Sequence, residues 1–119
     1  MKKFMAVFRG EPGKGNPEWN QLSEEETQKR IQQGMQAWGQ WMQDNSAQIV
    51  YPGGPLGKTL LINKDGVSST TNNDCGFVII EAASHEEAAK KFINHPHFAI
   101  FPGEKVEVME CLPIPGKPS

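Results

Sequence analysis

Residues 3–9, KFMAVFR, alternate as a strand does: Phe4, Ala6 and Phe8 fall on one face, Met5, Val7 and Arg9 on the other. Both faces are apolar for most of the run, which predicts a central strand covered on both sides. Residues 10–20, GEPGKGNPEWN, are rich in Gly, Pro and Asn and predict a loop. The period then changes. From Leu22 to about Asn45, Ile31, Met35, Trp38 and Met42 recur at intervals of 4, 3 and 4, an apolar stripe along a helix with Trp41 beside it. Ser23 and Glu26 have the spacing of a capping box, and Glu24, Glu25 and Glu26 set negative charge at the positive end of the helix dipole. All eight glutamines lie between Gln21 and Gln48 and mostly fill the opposite, solvated face. Gly34 and Gly39 each cost about 1 kcal/mol relative to Ala in a helix interior. Close approach of a neighbour or room for a ligand would offset that cost.

A short strand at 47–51, a PGGP turn and a strand at 58–63 follow. Lys64-Asp65-Gly66 is a hairpin signal, and 68–74, SSTTNND, reads as a surface loop. Residues 75–81, CGFVIIE, are the most apolar strand, with Phe77 and Ile79 opposed to Val78 and Ile80. Ser84 and Glu87 repeat the capping-box spacing and open a second helix to about Asn94, with Ala88, Ala89, Phe92 and Ile93 inward. Pro96 disfavours helical geometry at His95 and ends it. KVEVMEC, 105–111, is the last strand, with Val106 and Val108 on one face. Residues 112–119, LPIPGKPS, form a proline-rich tail beyond a domain spanning 1–111. Two strand–helix–strand units in one short chain predict a ferredoxin-like α+β sandwich, an antiparallel sheet with both helices on one face. The other face keeps apolar side chains from three strands. Pairing two such faces into a dimeric α+β barrel, a homodimer, would bury them.

Composition narrows the function classes. The chain has 119 residues, 13.2 kDa, a net charge of -2 and a pI near 5.9, so it is one domain without the basic surface of a nucleic-acid binder. No apolar run approaches the roughly 18 residues that span a membrane. The start, MKKFMAVFRG, resembles a signal peptide only as far as Arg9, which ends the apolar stretch after five residues. Cys75 and Cys111, 36 residues apart, form no CxxC pair and no zinc spacing. Free thiols in a reducing cytoplasm are expected.

The candidate chemistry is sparse. GGPLGKT, 53–59, lacks the first glycine of a phosphate loop, where Pro52 stands, and reads as a tight turn. His95-Pro96-His97 follows a helix end, where either imidazole is a candidate general acid or base in a partly exposed loop. No Asp, Glu or Cys stands at metal-ligand spacing beside them, so no metal site is expected. Trp38 and Trp41 are core residues or an aromatic wall for a flat ligand. Arg9 is a candidate for an anionic substituent or for pairing with a carboxylate.

KKFMAVFRGEP, then LSEEE opening a helix with QAWGQWM, then a strand ending GGPLG, resemble the YCII-related family, particularly its DGPF-type branch. GFVIIEAASHEEAAKKF, HPH and VEV resemble the family's second half, so the likeness covers about residues 1–111. It implies a ferredoxin-like fold in a homodimeric α+β barrel and cofactor-free chemistry on small molecules in some members. One relative type dehydrochlorinates chlorinated hydroxyquinols; wider structural relatives include lactone isomerases and monooxygenases. Some members carry a proposed acid/base dyad, a His in the first helix and an Asp before the proline that ends the second. Here the corresponding stretch is Gln36 to Trp38, and the Asp-Pro position is His95-Pro96. The DGPF motif is replaced within DGVSSTTNNDCGF. His97 matches a Pro-His of the DGPF-type branch. Two functions are therefore expected to compete. One is a cofactor-independent enzyme on a small aromatic or lactone-like molecule, with His97 or His95 moving a proton, Trp38 and Trp41 beside the ring and Arg9 on an anionic group. The other is a non-catalytic dimeric ligand-binding or regulatory module.

Overall fold

The alternating and the 3.6-residue segments of the chain form two layers, a sheet and the helices on one of its faces. The computed structural model describes residues 1–10, 15 and 17–116. Residues 11–14 and 16 of the predicted first loop, and 117–119 of the predicted tail, lie outside the described residues. The strands are β1 (Lys2–Arg9), β2 (Ile49–Pro55), β3 (Thr59–Asn63), β4 (Gly66–Thr70), β5 (Asp74–Ala82) and β6 (Lys105–Glu110). The helices are α1 (Glu24–Asp44), α2 (His85–Lys90) and α3 (Pro96–Ala99). β2-β5-β1-β6 form a four-stranded sheet, with β1 antiparallel to β5 and β6 and β2 antiparallel to β5. This is the predicted ferredoxin-like α+β order, with β3 and β4 as a separate two-stranded hairpin.

Phe4, Ala6 and Phe8 of β1 and Val78, Ile80 and Ala82 of β5 form the buried core with Ala88 and Phe92. Trp38 and Trp41 of α1 and Val106 and Val108 of β6 pack against it. The opposite face of the sheet is not covered. Val7 is buried there among its neighbours, Met5, Phe77 and Ile79 are half-buried, and Tyr51 and Met109 are exposed. Tyr51 and Phe77 stack on this face at 5.9 Å.

Four local readings change. The PGGP segment is not a turn. β2 runs through it and pairs Gly54 with Phe77 and Pro55 with Gly76, with register shifts on the way. Gly53 has φ 63°, and a Cβ there would strike the Phe77 carbonyl oxygen. The two glycines thus let the strand bulge and continue instead of reversing. The Asp65-Gly66 hairpin forms as predicted, but its second strand takes Ser68–Thr70 out of the predicted loop. Pro17–Gln21 form a 3-10 helix within the predicted first loop. The second helix stops at Lys90 rather than near Asn94. Asn94 adopts φ 58°, a left-handed conformation that Asn tolerates, and the chain reverses into α3.

The first predicted capping box forms in full, and at the second the serine half is seen. Ser23 accepts from the Glu26 amide at 3.1 Å while Glu26 accepts from the Ser23 amide at 3.2 Å. Ser84 accepts from the Glu87 amide at 3.1 Å. The two helical glycines differ. Gly34 is buried, and a Cβ there would run into the ring of Phe101; at Gly39 a Cβ meets nothing within 4 Å. Close approach explains the first and open space the second. Gly39→Ala should therefore gain the usual helix advantage, about 1 kcal/mol, whereas Gly34→Ala should lower stability because the Phe101 ring must move. Urea unfolding of the two variants checks the opposite signs.

Candidate functional site

His95 and His97 are the centre of the site, and neither lies in the partly exposed loop that the sequence predicted. His95 is 1% exposed and His97 6%. The reason is local. Pro96 begins a new helix instead of only ending the old one, because proline's fixed φ suits a first helical position. His95 becomes the N-cap, and its Nδ1 accepts the His97 amide at 3.0 Å. That acceptor role puts the proton of the neutral ring on Nε2. Nε2 is buried and has no hydrogen-bond partner among the described residues. Rings surround the imidazole instead, with centroids 4.5 Å away for Trp38, 4.9 Å for Phe8 and Trp41 and 5.8 Å for Phe92.

Burial, and then the neighbouring His97, lower the His95 pKa to about 4. Burial also lowers that of His97, against hydrogen bonding to the backbones of Arg9 and Lys105, which favours its charged form. His97 Nε2 lies 2.8 Å from the Arg9 carbonyl oxygen, a contact in which the ring donates. His97 thus ties α3 to the end of β1.

Between α1 and the sheet lies a cavity of about 540 Å³, within the usual range for a small-molecule site. α1 contributes Met35, Trp38, Gly39, Trp41 and Met42 to its lining; β1 and β5 contribute Phe8, Gly76 and Val78. Pro52, Gly54 and Pro55 of the bulged β2 line another side, and His97 and Phe101 come from α3 and the turn after it. Met35 is 64% exposed although it lies on the predicted apolar stripe, because the stripe faces this open space. Among the described residues no charged side chain lines the cavity. The polar residues of that lining are His97 and Cys75; burial raises the Cys75 pKa, so at neutral pH the thiol stays protonated.

The cavity brings together three of the five sequence candidates, His97, Trp38 and Trp41. His95 stands behind Trp38 and Trp41, outside the lining. Trp41 is also structural, since its Nε1–H donates to the Lys91 carbonyl at 2.8 Å. Arg9 is moved away. Its Nε lies 3.0 Å from Asp74 Oδ1, an ion pair not aligned as a hydrogen bond, and its Nη1 donates to Glu107 Oε1 at 3.0 Å. Two carboxylates already hold the guanidinium, so Arg9 cannot anchor an anionic group in the cavity. His85 is exposed and has its Nε2 2.7 Å from the Val108 carbonyl on the edge of the sheet. Among the described residues no three side chains of metal-ligating type converge. The sequence reading missed Phe8, Met42, the β2 glycine and prolines, and Phe101. Gly39, flagged as room for a ligand, was the one usable signal.

The chain shares its fold with a dehydrochlorinase. The solved structure of 5-chloro-2-hydroxyhydroquinone dehydrochlorinase (TftG) from Burkholderia phenoliruptrix AC1100, in complex with 2,5-dihydroxybenzoquinone, matches with a TM-score of 0.51 and 23% identity over 89% of each chain. No family model and no curated protein matches. The likeness supports a TftG-like α+β barrel fold.

The buried imidazoles make stability depend on pH. The folded state keeps His95 neutral to about pH 4, whereas an unfolded His takes up its proton near 6.5. This stability is therefore intact above pH 6.5 and is lost as pH falls through that window, about 3 kcal/mol between pH 7 and 4. Urea unfolding across that range should show the loss in the native chain. His95→Asn, which keeps a capping acceptor, should show a shallower slope.

Proposed function

We propose that the cavity between α1 and the sheet binds a small, flat, uncharged aromatic molecule, and that the protein works as a homodimer in the cytoplasm. The observation that carries the first part is the lining among the described residues: several aromatic and apolar side chains, a neutral imidazole, and no charged group. Trp38 offers a ring for stacking, and Gly39 leaves space on the helix that any side chain would fill. An anion would enter such a cavity without a partner for its charge, which costs several kcal/mol. The likeness to a fold that takes a chlorinated hydroxyhydroquinone in another protein agrees in substrate size and shape.

A second reading makes the same cavity an active site that works without a cofactor. The position of His97 favours it, because this is the titratable imidazole in the lining and burial keeps it neutral near pH 7. A neutral ring is able to accept a proton from a ligand hydroxyl. The lack of any carboxylate in the lining, among the described residues, favours the binding module.

Support for the homodimer comes from the uncovered sheet face. Tyr51, Phe77, Ile79, Met5 and Met109 form an apolar patch in one layer of a two-layer fold. At one end of that face Arg9 is paired with Asp74 and Glu107, and Lys105 lies 3.5 Å from Glu107.

Hydroquinone should quench tryptophan fluorescence on binding, and 4-hydroxybenzoate, which carries a carboxylate, should bind at least about tenfold more weakly. Gly39→Leu should abolish binding by filling the cavity. Tighter binding of the carboxylate would sink the reading. Incubation of bound hydroxyquinols with the native chain and with His97→Asn separates the two functions: turnover lost in the variant makes it an enzyme, and binding without turnover in either makes it a binding module.

A further inference from the structure

The β3–β4 hairpin leaves the sheet after Pro55 and rejoins it at Asp74, and its strands pair only with each other. Its register sets Leu60 opposite Ser69, Leu61 opposite Ser68 and Ile62 opposite Val67. Opposed residues share a face, and faces alternate along each strand. One face of the arm therefore carries Leu60, Ile62, Val67 and Ser69. The other carries Thr59, Leu61, Asn63, Ser68 and Thr70. The arm is amphipathic, yet its apolar face is bare: Leu60, Ile62 and Val67 are 60%, 69% and 66% exposed. A two-stranded hairpin alone is marginally stable in water, and a bare apolar face marks an interaction surface.

The shape of the chain agrees. Its radius of gyration is 16.5 Å, against about 14 Å for a compact domain of this length. The arm also answers a shortage of area. Four strands about 4.8 Å apart, of six to nine residues each rising about 3.3 Å per residue, give an open sheet face of roughly 480 Å². A stable interface takes about 800 Å² from each partner. The sheet face alone falls short of that. Exposed apolar residues then follow along the chain from Tyr51 on that face, through Leu56, to Leu60 and Ile62 on the arm.

We infer that the β3–β4 arm is a clasp that closes on a second copy of this chain, burying Leu60, Ile62 and Val67 of each arm against the partner subunit. This rests on the homodimer proposed above and adds to it which surface holds the two copies together. The polar face of the arm, with Asn63, Ser68 and Thr70, stays toward water.

Sedimentation velocity over a concentration series tests both levels. The full chain should be a dimer at micromolar concentration. The double variant Ile62→Lys, Val67→Lys should raise the dimer dissociation constant at least about 100-fold, while Leu61→Ser, on the polar face, should change it less than about fivefold. Both variants should retain the native far-UV circular dichroism and hydroquinone-induced fluorescence change, since the arm lies outside the core and the cavity. A native chain that stays monomeric at about 100 μM overturns the homodimer and the clasp together. A dimeric native chain whose lysine variant dimerises equally well overturns the clasp and leaves the homodimer standing. Equal weakening by Leu61→Ser and the lysine variant overturns the assignment of the apolar face.

Discussion

The hydrogen bond from the His97 amide to His95 Nδ1 caps α3 and fixes the His95 ring against the tryptophans of α1. It starts α3 directly after the left-handed turn at Asn94, and so fixes where both imidazoles stand. The His95 ring then fills the space among Trp38, Trp41, Phe8 and Phe92, which joins α1 to β1 and to the turns after α2. His97, carried on the next residue but one, reaches the Arg9 carbonyl and closes α3 onto the end of β1. A charged ring would break this arrangement, because among the described residues the enclosure offers aromatic faces and no counter-ion. The same enclosure keeps both rings neutral, so one packing decision sets the electrostatics of the cavity as well.

The cavity follows from how α1 is attached. α1 meets the core through its two tryptophans and through Gly34, where Phe101 lies against the bare helix backbone. The stripe between these anchors, Met35, Gly39 and Met42, is left facing space rather than side chains. On the other side, the bulged Gly53-Gly54-Pro55 stretch of β2 contributes backbone and prolines, which cannot fill the gap. An apolar pocket with His97 as its one imidazole among the described residues is what remains.

Much of the architecture was legible in the sequence. The alternation in residues 3–9 and 75–81, the helical stripe through Trp38 and the Ser-x-x-Glu caps each depend on neighbours a few positions away, and all formed. The order of strands and helices followed, since few topologies accommodate two strand–helix–strand units in one short sheet. Local signals misled where a residue type has two uses. Gly and Pro in PGGP serve a turn or a bulge, and which one occurs depends on whether β5 lies alongside to pair. Pro96 can end a helix or begin one, and the direction of the chain after Asn94 decides.

The sequence by itself determined the layers, the caps, the lack of charge on the apolar stripe and the excess of apolar surface over what two helices can cover. These are properties of period and composition, and they survive any detail of packing. Only the tertiary structure decided that His95 and His97 are buried rather than exposed, that Arg9 is bound to Asp74 and Glu107 on the far side of the sheet, and that Gly39 opens a cavity while Gly34 closes a contact. Each of these depends on partners tens of residues away in the chain, and a pattern of near neighbours carries no information about which distant group will arrive.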